Sequence, residues 1–115
     1  MAEPAALGEA IAALADPTRR GVVSLLARGP QRAGEIAAAL GMTPPTLSRH
    51  LRVLRQSGLI ADDEPEHDAR VRLYRLQPDA LHPLRDWLAE LEAFWSDQLG
   101  AFKAHAERSE RSRHR

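Results

Sequence analysis

The stretch GMTPPTLSRHLRVLRQSG, residues 41–58, decides the fold of this chain. Gly41 follows the alanine-rich stretch RAGEIAAAL, residues 32–40, which predicts a short helix with Ile36 and Leu40 inward and glycine at its end. Thr43 is suited to cap the next helix and Pro44 to open it, because the missing proline N–H at that position has no partner anyway. Two helices separated by so few residues, with glycine at the break, predict a helix-turn-helix.

The second of these helices, predicted over residues 44–57, is amphipathic. At about 100° per residue its leucines share one face, and these are Leu47, Leu51 and Leu54. The outward side carries hydroxyl, amide and cationic groups. Its residues are Pro45, Thr46, Ser48, Arg49, Arg52 and Gln56. His50 lies at the edge of the leucine face, where we expect it to bridge the core and the phosphate backbone of DNA.

Charge is sorted along the chain, although the formal net charge is zero. Residues 43–60 carry three arginines and no acid, whereas residues 76–99 carry five acids and one arginine. Arginine reads guanine with two hydrogen bonds, and a carboxylate would be repelled by the DNA backbone. The acid-free helix therefore favours double-stranded DNA as the partner and the major groove as its site. The alternative is a basic helix face that only contacts solvent. We favour DNA binding because a short helix and a capped turn precede this helix and a predicted hairpin follows it.

The remaining segments predict a mainly α chain with a small β-hairpin. A first helix is predicted over about residues 4–15, and a second starts at Asp16-Pro17 and ends at Gly29. After residue 58, the runs LIADDEP and VRLYRLQ are short and extended, and the polar stretch between them predicts a hairpin turn. A last helix is predicted to start at Pro78 or the residue after it.

The last helix has an apolar stripe too wide for a small domain to cover alone. We expect it to pack partly on the first helix and partly on a second subunit. The predicted dimer interface consists of Leu7, Ile11, Leu84, Leu88, Leu91, Trp95, Leu99 and Phe102. Trp87, Phe94 and Trp95 could instead line a ligand pocket between subunits. Residues 1–108 are thus predicted to form one DNA-binding and dimerisation domain, followed by a disordered basic tail over residues 109–115.

The segments LADPTRRGVVSLLARGP, GEIAAALGMTPPTLSRHLRVLRQSGLI and RVRLYRL together resemble the ArsR family of bacterial winged-helix repressors. The resemblance is close over residues 14–76, and the last helix is similar to that of a subgroup lacking thiolate metal boxes. It implies a winged helix-turn-helix of about five helices and a two-stranded wing. It also implies a homodimer that represses its own operon until a small-molecule inducer releases the DNA. By this match, the DNA contacts fall on Thr43, Pro45, Thr46, Ser48, Arg49 and His50, with Arg70 or Arg72 on the wing.

The metal sites common in that family are not matched here. The thiolate site would fall at residues 32–34, and the absence of cysteine rules out soft-metal or arsenite sensing at that site. The last helix offers Asp79, His82, Glu90, Asp97 and His105. Its two histidines lie 23 residues apart, so we interpret them as surface residues. No metal ligand and no cofactor is predicted, and zinc held by an irregular arrangement of these residues is the alternative.

The leading function is a sequence-specific repressor that acts as a homodimer on an inverted-repeat operator in the cytoplasm. The alternative is a winged-helix module that binds a protein and not DNA. An enzyme is not predicted, because the chain has no cysteine nucleophile, phosphate-binding glycine loop or metal motif. No membrane partner is predicted either, since no apolar run approaches the roughly 20 residues of a membrane span.

Overall fold

The computed structural model describes residues 5–63 and 72–113. The helices in these residues are α1 (Ala5–Leu14), α2 (Pro17–Leu26), α3 (Ala33–Leu40), α4 (Pro44–Gln56) and α5 (His82–Arg113). The strands are β1 (Gln31–Arg32), β2 (Ile60–Asp63) and β3 (Leu73–Leu76), and a 3-10 helix over Pro78–Leu81 leads into α5. The mainly helical winged helix-turn-helix predicted from the sequence is confirmed. No helix in the described ranges is both long enough and apolar enough to cross a bilayer.

Side-chain caps fix the junction between α1 and α2. Asp16 is the N-cap of α2, and its Oδ1 accepts the backbone N–H groups of Thr18 at 2.7 Å and Arg19 at 3.2 Å. Arg19 donates from Nε to the carbonyl of Ala13 at 2.6 Å, and Arg20 donates to the two carbonyls that follow, at 2.8 and 3.1 Å. The free carbonyls at the end of α1 thus receive donors from the first turn of α2. The predicted start of α2 at Asp16-Pro17 is confirmed.

The helix-turn-helix is formed by α3 and α4. Gly41 ends α3 in the left-handed conformation, at φ 63° and ψ 39°, which glycine adopts without steric cost. Thr43 occupies the N-cap position of α4, but its hydroxyl bonds the Thr46 hydroxyl at 2.9 Å and makes no cap hydrogen bond to the helix backbone. Gly58, at φ 80°, then turns the chain away from α4. The predicted helix bounds are therefore confirmed, whereas the predicted side-chain cap is not formed.

The β-sheet has three antiparallel strands in the order β1-β3-β2. The hairpin pairing of β2 with β3 was predicted, and β1 adds a two-residue strand that was not. Gly29 was predicted to end α2, but the helix stops at Leu26 and Gly29, at φ 151°, leads the chain towards β1. The register pairs Asp62 with Tyr74 and Asp63 with Leu73. Side chains alternate between faces, so Asp62 shares the face of the buried Tyr74.

The core lies where α1 to α4 pack on the base of this sheet. Leu47 and Leu54 of α4 are at most 1% exposed, and Leu59 just before β2 is fully buried. The other buried members of this cluster are Ala10, Ala13, Val22, Leu26, Ile36, Ala37, Leu51, Ile60 and Tyr74. Burial of these side chains holds α4 by its leucine face and leaves its opposite side outward.

Packing divides the chain into two compact units, Met1–Leu84 and Arg85–Arg115. The first contains the helix-turn-helix and the sheet, and the second is the part of α5 beyond Leu84. The sequence predicts a single domain over residues 1–108, and the side chains of α5 beyond residue 84 are almost all exposed. The helix also continues to Arg113, so the predicted disorder is wrong for residues 109–113. Glu107 and Arg111 are four residues apart, a spacing that stabilises a helix.

Candidate nucleic-acid interface

The outward side of α4 carries most of the residues predicted to contact DNA. Thr43, Pro45, Ser48, Arg49, Arg52 and Gln56 are exposed, and Thr46 and His50 are half-buried. Leu47, Leu51 and Leu54 are at most 3% exposed. Three leucines therefore fix the rotation of the helix, and the hydroxyl, amide and guanidinium groups opposite them remain open to a partner. No acid lies on this helix.

His50 lies at the edge of the leucine face, close to the N-cap of α2. The backbone N–H of Arg19 is the main cause that holds the pKa of the Asp16 carboxyl below its ordinary value. Partial desolvation opposes this effect, while the backbone N–H of Thr18 and the charge of His50 add to it. His50 of α4 thus makes a minor contribution to the lowered pKa of Asp16 at the start of α2.

Asp62 joins the recognition helix α4 to the sheet. Its Oδ2 lies 3.1 Å from Nε of Arg72 and 3.5 Å from an Nη of Arg55. The Asp62 side chain is 16% exposed, and that of Arg72 is 24% exposed. One partly buried carboxylate thus faces a cation from the last turn of α4 and another from the residue before β3. We call this set, Arg55, Asp62 and Arg72, the junction triad.

The junction triad contains one of the residues predicted to contact DNA, Arg72. That arginine was predicted to contact DNA on the wing, but its guanidinium is half-buried against Asp62. Asp62 balances part of the charge of Arg72, and the contact of this arginine with DNA stays a prediction. The other wing arginine predicted to contact DNA, Arg70, lies outside the described residues. On the opposite face of the sheet, Arg75 pairs with Asp63 at 3.1 Å, with both side chains about half-exposed.

At the positions where the resemblance would place metal sites, the side chains contact neighbouring residues of their own helix ends. At the N-terminus of α3, the Glu35 carboxylate accepts the backbone N–H of Arg32 at 3.1 Å, which satisfies a free helix donor. Near the start of α5, the Nε2 of His82 lies 3.7 Å from the Asp79 carboxylate. Across residues 5–63 and 72–113, no three histidine, aspartate or glutamate side chains cluster as a metal site would require.

The residues predicted for a dimer interface differ in exposure. Leu7 is only 3% exposed in the protomer, and its part in a dimer stays a prediction. Leu84 is half-buried, and Ile11 on α1 is 38% exposed. Large side chains of α5 have much of their surface open to solvent. They are Leu88, Leu91, Trp95, Leu99 and Phe102, together with the flanking Trp87 and Phe94.

Comparison with known proteins agrees with this geometry. Residues 16–62 match the family described as "Bacterial regulatory protein, arsR family", a range that contains α2 to α4 and most of β2. The HTH-type transcriptional regulator Rv2034 of Mycobacterium tuberculosis is 41% identical over 90 residues, which are 78% of each chain. The transcriptional repressor SdpR of Bacillus subtilis is 33% identical over 76 residues, or 66% of this chain and 81% of the relative.

A solved structure shares the fold. The homodimeric winged helix-turn-helix DNA-binding domain of Mb0332 from Mycobacterium bovis, a possible ArsR-family regulator, superposes with a TM-score of 0.60 at 26% identity. The match covers 77% of this chain and 82% of that domain. The fold and the sequence identity both point to the same family of regulators. This chain belongs to the ArsR family of bacterial regulatory proteins.

Proposed function

We propose that this protein is a sequence-specific transcriptional repressor that binds double-stranded DNA through α4. The observation that carries the proposal is the outward side of that helix. Arg49 and Arg52 are exposed there beside Ser48 and Gln56, and no carboxylate shares the helix. A helix inserted in the major groove requires donors that reach base edges and no charge that repels phosphate.

Repression is the direction of regulation that the comparisons support. SdpR, similar over 76 residues, is a transcriptional repressor. A protein bound through α4 at a promoter hinders polymerase simply by occupying the site. We therefore propose that the operator lies upstream of the protein's own gene, so that the protein limits its own synthesis.

The proposed assembly is a homodimer on an inverted repeat. The exposed apolar side chains of α5 recur at helical spacing from Leu88 to Phe102, and Ile11 of α1 is also exposed. A second copy would cover such a stripe, and the similar domain of Mb0332 is a homodimer. Two recognition helices related by two-fold symmetry bind half-sites about 34 Å apart, one turn of DNA.

The test is a titration of labelled duplex with purified protein, followed by fluorescence anisotropy. One duplex comes from the region immediately upstream of the protein's gene, and a scrambled duplex of equal length and composition is the control. We expect the protein to bind the upstream duplex more tightly than the scrambled one, and this difference in affinity should persist at physiological salt. Equal affinity for both duplexes that disappears as salt rises would contradict it, and would favour the alternative of a protein-binding winged-helix module.

A further inference from the structure

We propose that Asp62 sets the DNA specificity of this protein by withholding Arg55 from phosphate. The inference rests on the proposed function, because it concerns how the same surface discriminates between sequences. Asp62 is the first acid after the acid-free stretch that begins beyond Glu35. It therefore stands at the boundary between the recognition helix and the wing.

The geometry gives Asp62 a different role from that of a surface acid. Its carboxylate is 16% exposed and lies 3.1 Å from Nε of Arg72 and 3.5 Å from an Nη of Arg55. The register pairs Asp62 with Tyr74, whose side chain is buried, so Asp62 continues the inward face of the ribbon. On β2, Ile60 is the last buried apolar side chain of that face, and Asp62 is the next side chain on the same face.

The next residue provides an internal comparison. Asp63 pairs with Arg75 at 3.1 Å, but their side chains are 51% and 50% exposed and lie on the opposite face of the ribbon. An exposed ion pair is screened by water and salt, whereas a partly buried pair is screened less. The ion pairs of Asp62 should therefore be stronger than the ion pair of Asp63, although the two carboxylates are adjacent on one strand.

Non-specific DNA binding depends on the number of cations that reach phosphates. Arg55 occupies the last turn of α4, one turn beyond the exposed Arg52, and its side chain is 36% exposed. Without the Asp62 carboxylate this arginine gains a free charge on an otherwise basic helix. Affinity for any sequence then rises, while the base contacts of Arg49 and Arg52 remain as they were. The ratio of specific to non-specific affinity therefore falls.

The same carboxylate positions the wing. Arg72 precedes β3 and Arg55 belongs to α4, so Asp62 joins two elements that are distant in sequence. Loss of the carboxylate loosens the orientation of the ribbon relative to the recognition helix. This loosening lowers the affinity for the operator. It therefore also lowers the ratio of specific to non-specific affinity.

The test compares Asp62→Asn with Asp63→Asn, since each change removes one negative charge and keeps the side-chain size. Affinity for the upstream duplex and for a scrambled duplex is measured over a series of salt concentrations. For Asp62→Asn we expect tighter binding to the scrambled duplex at low salt and a smaller preference for the upstream duplex. One gained phosphate contact steepens the salt dependence by about 0.9, roughly a threefold extra loss between about 50 and about 200 mM salt. For Asp63→Asn the preference should stay close to that of the parent.

A double variant separates electrostatics from misfolding. Adding Arg55→Gln to Asp62→Asn removes the unpaired cation, so the salt dependence should return to that of the parent. The inference is overturned if Asp62→Asn keeps the parent's preference, or if it weakens binding to both duplexes equally, as general structural damage would. If the parent itself fails to prefer the upstream duplex, the proposed function fails, and that result is distinguishable because it needs no variant.

Discussion

Oδ1 of Asp16 accepts the backbone N–H of Thr18 at 2.7 Å, and this contact closes the free end of α2. The neighbouring N–H of Arg19 is bonded to the same oxygen at 3.2 Å. Both donors favour the ionised carboxylate, since a protonated acid is a weaker acceptor. The cap consequently ties the stability of the α1–α2 junction to the charge of one side chain.

Acid should therefore weaken this junction. The N–H of Arg19 is the main cause that holds the folded-state pKa of Asp16 below its ordinary value. A carboxyl whose pKa is lowered by folding stabilises the protein at pH values above its pKa in the unfolded chain, about 3.9. That stabilisation is lost as the pH falls through the pKa of the folded protein. We expect Asp16→Ala to lower Tm near neutral pH, and the difference from the parent to shrink below about pH 4. Thermal unfolding followed by circular dichroism over a pH series measures it.

Asp16→Asn is the matched control for charge. Asparagine caps helices well but does not ionise, so this variant should keep much of the parent's Tm at neutral pH. Its Tm should also change less with acid. A Tm difference between Asp16→Ala and the parent that is the same at every pH would contradict the charged-cap account.

Leu54 anchors α4 in the core and is fully buried. Leu54→Ala should lower the free energy of unfolding by about 2–5 kcal/mol, because it removes buried methyl groups and leaves a cavity. Urea unfolding measures the change. Gln56→Ala, two residues along the same helix and exposed, should change it by less than about 0.5 kcal/mol. Similar losses for both variants would mean that the buried face of α4 is assigned wrongly.

Arg49 tests the outward side of the same helix. Arg49→Ala should leave Tm unchanged and weaken binding to the upstream duplex by about 1–3 kcal/mol, the usual cost of one lost base contact. Arg28→Ala removes an exposed arginine just beyond the end of α2 and should bind like the parent. If Arg49→Ala binds the upstream duplex as tightly as the parent, α4 does not read DNA through this side.

Trp95 tests the proposed dimer, since 63% of its surface is exposed in the protomer. Trp95→Glu places a charge in the apolar stripe of α5 and should raise the Kd of dimerisation by about thirtyfold or more, equal to ~2 kcal/mol. Sedimentation velocity over a concentration series measures it. Ala93→Glu adds the same charge on the opposite side of the helix and should leave the dimer intact. Equal dissociation by both variants would show that the stripe is not the contact.

Local chemistry made much of the fold predictable. The starts at Asp16-Pro17 and Pro44 and the end at Gly41 follow from caps and allowed backbone conformations, which depend on neighbouring residues alone. The leucine face of α4 was predictable for the same reason, because helical periodicity determines which side chains share a side. The exposed residues predicted to contact DNA follow directly from that face.

The junction triad was not predictable, because it depends on strand register. Asp62 meets Arg72 only when the hairpin pairs residue 62 with residue 74, and a shift of one residue would turn it to the other face. The burial of Leu7 and the two-residue strand β1 likewise depend on packing between distant segments. The helical end of α5 was missed because a charged, apolar-free segment was equated with disorder, although its charges are spaced to support a helix.

The most direct measurement is a hydroxyl-radical footprint of the full-length protein on the DNA immediately upstream of its gene, at physiological salt. We expect two protected half-sites related by inverted symmetry and centred about 34 Å apart, one for each recognition helix of a dimer. At a protein concentration that just protects the site with the parent, protection should weaken with Arg49→Ala and persist with Arg28→Ala. A uniform pattern, or protection that does not depend on Arg49, would contradict the claim that α4 reads an operator.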